Sequence, residues 1–220
     1  MPQPDLVTLT EPRSPVSEAY RALRTNLEFS SLDHPLHSLL VTSPADNADK
    51  IKTLANLAVI MAEGGRQVIL VDSDLRKPEL HTVFGVDNHT GLSELLRSPD
   101  GAAELPLCET PVETLKLLTS GQLPQNPSVL LGTGRMRSVL DALVAHADLV
   151  ILNAPPVLAV TDATLLASQV DGTLLVIRAR GTQREHVQRA QALLNKVNAR
   201  LVGAVLSNAS LDSSVTNYYK

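Results

Sequence analysis

The residues best equipped for chemistry lie in three short stretches. The first is Leu39–Val59, LLVTSPADNADKIKTLANLAV, an apolar β-type run that breaks at Ser43-Pro44 and restarts with a helical pattern. In loops that cradle nucleotide phosphates, such a strand–loop–helix frame carries G-x-x-x-x-G-K-[ST]. The glycines let backbone N–H groups approach phosphate, the lysine meets the outer phosphates and the hydroxyl holds Mg²⁺. Here Lys50 stands at the lysine place, Asn47 and Asp49 occupy glycine places, and Ile51 and Lys52 sit where hydroxyls should follow. Thr53 is the nearby hydroxyl. Taken alone, a frame without glycines reads as an ordinary strand-to-helix connection.

The second stretch, Asp72-Ser73-Asp74-Leu75-Arg76-Lys77-Pro78, follows the apolar run Gln67–Val71. Asp72 and Asp74 alternate along an extended backbone and so point the same way, which suits metal binding or proton abstraction. A solvated turn with self-paired charges accounts for the same residues. The third stretch is Leu149–Leu152 followed by Asn153-Ala154-Pro155-Pro156. In nucleotide-hydrolysing sites a buried strand of this kind ends in an Asp that helps hold Mg²⁺; this one ends in Asn.

The elements that must position these groups alternate along the chain. Apolar strands are expected at about 37–43, 67–71, 113–119, 149–152, 173–178 and 201–206. Helical patterns fall at about 14–30, 51–63 and 79–96 in pieces, a further helix starts at Asn126-Pro127, and others fall at about 134–146, 161–169 and 183–196. Runs as apolar as Gln67–Val71 suit strands buried on both faces. The alternation predicts an α/β fold, a doubly wound and mainly parallel sheet whose ligand crevice lies at the carboxyl ends of the strands.

At 220 residues and 44% hydrophobic, the chain suits one well-cored domain. We expect an N-terminal extension at 1–13, the domain at 14–209 and a tail at 210–220. A net charge of -4 gives no support for a nucleic-acid surface. The single Cys108 and the absence of a leader pattern or a spanning apolar run point to the cytoplasm. The histidines show no metal-ligand spacing.

Ser14-Pro15 reads as a helix start, Ser as N-cap and Pro at the first helical position. On a helical wheel Tyr20, Leu23 and Leu27 cluster on one side, Glu18 and Arg21 lie opposite, and Arg24 falls between. The spacing therefore predicts an E-x-x-R-x-x-R face turned outward; a solvated face with an internal Glu18–Arg21 pair fits equally. The tail LDSSVTNYYK carries the adjacent Tyr218 and Tyr219, either a modification site or a frayed end.

Taken together, EAYRALRTN (18–26), the LLVTSP strand-loop, VDSDLRKP (71–78), SGQLPQNPSVLL (120–131), DLVILNAPPVLAVTDA (148–163) and the tyrosine-bearing tail resemble the bacterial tyrosine kinases of capsular and exopolysaccharide synthesis. The resemblance spans nearly the whole chain and implies a P-loop NTPase fold of the deviant Walker A group. It makes Lys50 the Walker A lysine, Asp72 and Asp74 the carboxylates of the second Walker motif, and Asn153 the Walker B position. It adds Thr53 and Asn208 to the nucleotide-binding candidates, with ATP or ADP and Mg²⁺ as cofactors and Asp72 the metal-side carboxylate if Mg²⁺ binds. Glu18, Arg21 and Arg24 match the family's ring-forming motif, and Tyr218 and Tyr219 its autophosphorylated cluster. The implied partners are further copies or an intact paralogue, in a homo- or hetero-oligomer, and the cytoplasmic tail of a membrane chain-length regulator. That regulator would recruit the chain to the inner face of the membrane.

The departures are concentrated where phosphate and metal would sit. Asp46 and Asp49 are expected to place carboxylates near a polyanion. At an effective dielectric of 20 and about 5 Å each close pair costs about 3 kcal/mol, roughly a hundredfold in affinity, part of which Lys50 and Lys52 offset. Ile51 removes a metal-binding hydroxyl, and Asn153 a negative partner of the metal. The resulting expectation is a pseudo-kinase that binds nucleotide weakly or not at all and serves as an oligomeric partner of the regulator. An active Mg-ATP-dependent tyrosine autokinase is the second reading, and a partitioning-type ATPase switch the third.

Overall fold

The computed structural model describes residues 4–98 and 104–210. In chain order the elements are α1 (Val7–Thr10), α2 (Pro15–Ser30), β1 (Ser38–Thr42), α3 (Asp49–Glu63), β2 (Val68–Asp72), α4 (Leu80–Phe84), α5 (Leu92–Arg97), β3 (Cys108–Glu109) and β4 (Leu115–Leu118). They continue with α6 (Pro127–Leu131), α7 (Gly134–Ala145), β5 (Leu149–Asn153), α8 (Asp162–Ala167), β6 (Gly172–Arg178), α9 (Arg184–Lys196) and β7 (Leu201–Ser207). The strands form one sheet in the order β3-β4-β2-β5-β1-β6-β7. Every pairing is parallel except β3 with β4.

The continuous apolar strands are buried on both faces because each face carries its own core. Alternation sends Leu39 and Val41 of β1 to one side and Leu40 to the other. Leu39, Val41, Leu70, Ile151 and Val176 pack with Leu54, Leu57 and Ala58 of α3 and Leu27 of α2. Leu40, Val71, Leu152 and Leu175 pack with Met136, Leu140 and Leu143 of α7, Leu166 of α8 and Leu194 of α9. Two helical layers thus sandwich the sheet, the doubly wound arrangement expected from the sequence.

The order places β2, β5 and β1 side by side, with Asn153 in register with both Val41 and Asp72. The carboxyl ends of these three strands carry Ser43-Pro44, Asp72–Asp74 and Asn153–Pro156, so sheet topology gathers stretches far apart in the chain.

Two elements differ from the sequence expectation. Residues 7–10 form α1, too short to show periodicity, yet Leu6 and Thr8 are fully buried. The Thr8 backbone N–H and Oγ1 both donate to Asn56 Oδ1 at 3.0 and 2.8 Å, tying this segment to α3. β3 is a two-residue antiparallel strand and likewise leaves no pattern. The expected start of α2 is present: Ser14 Oγ accepts from the Ser17 N–H at 3.2 Å, with Pro15 at the first helical position.

Candidate active site

The loop after β1 is closed by its own side chains. Asn47 is buried, accepts the Asp49 N–H on Oδ1 at 3.0 Å and donates Nδ2 to the Val176 carbonyl at 3.4 Å. It forms a local turn of the type Asn favours, and occupies one of the helix N-terminal donors that a bound phosphate would need. Within the loop Ser43 Oγ donates to the Ala45 carbonyl at 2.8 Å. The Val157 and Leu158 N–H groups donate to the Ser43 and Pro44 carbonyls. Among the described residues, none from Ser43 to Lys50 adopts positive φ. A backbone of this shape requires no glycine, which explains how Asn47 and Asp49 are accommodated.

Lys50 lies at the first turn of α3, 5% exposed. Its ammonium donates to the Ala154 carbonyl and stands 3.8 Å from Asp74 Oδ2. Burial pushes its pKa below the ordinary lysine value, opposed first by Asp74 and then by Asp72. Asp74 Oδ1 also accepts the Arg76 and Lys77 N–H groups at 3.3 and 3.0 Å, fixing the turn that follows β2.

Asp72 is fully buried. Its Oδ2 accepts the Glu79 and Leu80 N–H groups at 3.0 and 2.9 Å, and Oδ1 accepts Nδ2 of Asn153 at 2.8 Å. Burial raises its pKa to about 6, a rise limited by the Asn153 and Leu80 hydrogen bonds. Asn153 is equally buried, and its Oδ1 has no hydrogen-bond partner among the described residues. With Asn at this position the Asp72 carboxylate is hydrogen-bonded without a cation, since an amide N–H meets it where a second carboxylate would repel it.

The candidates divide among three places. Asp46, Asn47, Lys50, Ile51 and Asp74 line a cavity of about 260 Å³ with Arg76, Lys77 and Pro155. Asp72 and Asn153 are buried and do not line it. Asp49, Lys52, Thr53 and Asn208 line a different cavity of about 470 Å³, between α2 and the end of β7, with Tyr20 and Leu23. Burial pushes the Tyr20 hydroxyl up, countered by a hydrogen bond with Thr53. Asn208 adopts φ 54, the left-handed region that Asn tolerates, just beyond β7.

Three expectations are corrected. Asp49 does not face the loop cavity: its Oδ2 accepts Ser207 Oγ at 3.2 Å and lies 3.4 Å from Arg178 Nε, so of the two loop carboxylates only Asp46 lines it, beside Asp74 and Glu79. Lys52 does not flank Lys50; its ammonium is exposed, 3.8 Å from Asp5, because successive helical residues diverge by about 100°. On α2, Glu18 and Arg21 form the outward ion pair, but Arg24 turns inward. Its Nη1 donates to the Ile60 carbonyl at 3.1 Å near the end of α3, beside Gly64, where an added Cβ would lie 2.8 Å from that same nitrogen. Tyr218 and Tyr219 lie outside the described residues.

Sequence reasoning missed the Ala154 carbonyl and Asp162. Asp162 is buried, accepts Arg76 Nε at 2.8 Å and Nη2 at 3.1 Å, and accepts Ser128 Oγ at 2.8 Å. This bidentate grip fixes Arg76 at the cavity rim. A carbonyl has no sequence signal; Asp162 reads only as a first-turn helix acid.

No protein-family profile matches the chain. It is 38% identical over 218 residues to the tyrosine-protein kinase YwqD of Bacillus subtilis, covering 99% of this chain and 92% of that one. Its fold superposes with TM-score 0.84 on the kinase domain of Escherichia coli tyrosine kinase ETK, at 33% identity, covering 94% of this chain and 82% of that one. It also superposes with TM-score 0.84 on the chimerical protein CapA2B2, at 34% identity over 91% of this chain and 88% of that one. The Pyrococcus furiosus cell division ATPase MinD shares the fold at TM-score 0.65 and 20% identity, over 83% of this chain and 79% of that one. With the β1–α3 loop, the Asp72–Asp74 turn and the Asn153 strand end gathered at the carboxyl edge of a parallel sheet, these similarities lead to one conclusion: the chain is a member of the bacterial tyrosine-protein kinase family, on a P-loop NTPase fold.

Proposed function

We propose that this chain is a pseudo-kinase, a family fold that serves as an oligomeric regulator of capsular or exopolysaccharide synthesis with catalysis lost. The observation that carries the reading is the β1–α3 loop. Donors at its helix end are spent internally: Asn47 takes the Asp49 N–H on its side chain and the Lys50 N–H on its carbonyl, and the Lys50 ammonium is committed to Ala154 and Asp74. Phosphoryl transfer depends on positioning and on charge stabilisation by such groups, so a loop whose lysine is already engaged has little to offer a triphosphate.

The metal side agrees. In the family, ATP and Mg²⁺ are the working cofactors. Here the hydroxyl position is Ile51, which is 6% exposed and packs into the α3 core, and both Asp72 oxygens already accept hydrogen bonds. These residues do not fit a Mg-nucleotide in this arrangement, and no catalytic step is assigned to Lys50, Asp72 or Asp74. What remains available is surface. Glu18 and Arg21 are presented on α2, whose Val16 and Phe29 are 43% and 68% exposed. That face suits further copies of the chain or an intact paralogue. Similarity to a chimera, CapA2B2, supports a two-component arrangement, in which a membrane chain-length regulator is the partner and recruits the chain to the membrane. Among the described residues no helix is long and apolar enough to cross a membrane itself.

The reading is tested by incubating purified protein with Mg-ATP and mapping modified tyrosines by mass spectrometry. No phosphate on Tyr218 or Tyr219 is expected, alone or with the regulator's cytoplasmic tail. Stoichiometric phosphate would establish an active autokinase instead.

A further inference from the structure

We infer that the Lys50 ammonium is the resident cation of this site, standing in for a divalent metal and holding Asp74 and the strand ends together without one. The inference rests on the reading of the site as closed to Mg-nucleotide, and adds what closes it. Four observations converge. Lys50 is almost wholly buried, so its charge must be compensated within the protein. Its ammonium reaches one carbonyl, that of Ala154, and one carboxylate, Asp74 at 3.8 Å. Anionic and neutral oxygen donors are what a hard cation collects. Asp72 lies close enough for its charge to bear on Lys50, after that of Asp74. Finally, Asn153 spends its amide N–H on Asp72 and leaves Oδ1, fully buried, without a donor among the described residues. A buried acceptor of that kind is the deficit expected beside carboxylates where a cation site has been dismantled and only partly refilled.

The consequence is an autoinhibitory contact within the fold. While Lys50 neutralises Asp74, a divalent ion meets one carboxylate fewer and one cation more, and phosphate finds the ammonium already engaged. Removing Lys50 should leave Asp74 uncompensated beside the Ala154 carbonyl, an opening for a divalent ion where the described residues of the wild type present no cluster of three metal-ligating side chains. The exchange is electrostatic and needs no covalent step.

The test uses the full chain with Mn²⁺ as the probe, in the absence of nucleotide. Mn²⁺ binding is followed by loss of the free-ion electron paramagnetic resonance signal for the wild type, Lys50→Met, Asp74→Asn and the double variant Lys50→Met/Asp74→Asn. Lys50→Met is expected to bind one Mn²⁺ at least tenfold more tightly than wild type, and the double variant to lose that gain. Urea midpoints of the four proteins in metal-free buffer give the second readout. Lys50→Met should be destabilised and the double variant should recover, because it removes the orphaned carboxylate charge. If Lys50→Met does not fold, a folded double variant still supports the counter-ion role. A double variant that is also unfolded, or a folded Lys50→Met with wild-type Mn²⁺ affinity, overturns it. Nucleotide is absent from every arm, so failure here is separable from failure of the pseudo-kinase reading, which concerns ATP.

Discussion

Asn153→Asp puts a carboxylate at the position the family resemblance assigns to the Walker B Asp, and so probes the proposed loss of metal binding there. Asn153 Nδ2 now lies 2.8 Å from Asp72 Oδ1. Replacing that nitrogen by oxygen puts two carboxylates at the same separation, both 0% exposed. At an effective dielectric of 20 two unit charges at that distance repel by about 6 kcal/mol. The pair escapes part of this by retaining a proton or by relaxing, as paired carboxylates do. We therefore expect about half, roughly 3 kcal/mol, to appear as lost stability at pH 8. The assay is urea unfolding followed by circular dichroism. With a slope of about 2–3 kcal/mol per molar for a small protein, the midpoint should fall by about 1 M. It should recover at pH 5, where one proton is readily kept. It should also recover partly with millimolar Mg²⁺, since an ion at about a hundred times its Kd returns about 2.7 kcal/mol. A variant whose midpoint at pH 8 matches wild type would refute the reasoning, because Asp72 would then not be a buried anion held by the Asn153 amide.

Three further outcomes can be measured with similar means. Asp72 carries a pKa raised from 3.8 to about 6, chiefly by burial. Between those values the folded protein holds more protons than the unfolded chain, so this group's contribution falls as pH rises and levels off above about 6. A shift of about two units is worth about 3 kcal/mol. Asp72→Asn, whose amide retains an acceptor for the Glu79 and Leu80 N–H groups, should abolish that component, and the difference in stability between variant and wild type should change in its favour from pH 4 to pH 7. On α2 the two arginines should separate. Arg24→Ala loses the bond to the Ile60 carbonyl and its packing beside Gly64, and should cost about 1–2 kcal/mol. Arg21→Ala breaks only a half-exposed i,i+3 pair with Glu18 and should change stability by less than about 0.5 kcal/mol. If Arg21 serves assembly, sedimentation should show Arg21→Ala smaller in mass than wild type while equally stable; an unchanged assembly state would count against the scaffold role.

The fold was legible because its signals are local and redundant. Strands such as Val68–Asp72 and Leu149–Asn153 are apolar up to their last residue, as burial on both faces demands, and the helix that precedes the sheet starts at the Ser14 cap. Segments too short for a period, α1 and β3, escaped notice; α1 is held by the Thr8–Asn56 contact, forty-eight residues apart in the chain. At the site, residue type identified Lys50, Asp72, Asp74 and Asn153, but not where each side chain points. Asp49 stands one residue from Lys50, yet the helix turns it towards Arg178 and Ser207, a direction no motif encodes. Arg24 lay between the two faces of the helical wheel, and only the proximity of α3 decides that it turns inward. The closure of the site by Lys50 depends on the Ala154 carbonyl, and a backbone oxygen has the same sequence signature everywhere.

The most direct test of the account is isothermal titration of nucleotide-stripped protein with ATP and with ADP, each with and without Mg²⁺. An Asp49 N–H taken by Asn47 and a lysine committed to Ala154 and Asp74 predict no detectable heat at millimolar nucleotide, with or without the metal. Micromolar binding that requires Mg²⁺ would contradict it, since Lys50 and Asp74 would then be free to take up a Mg-nucleotide.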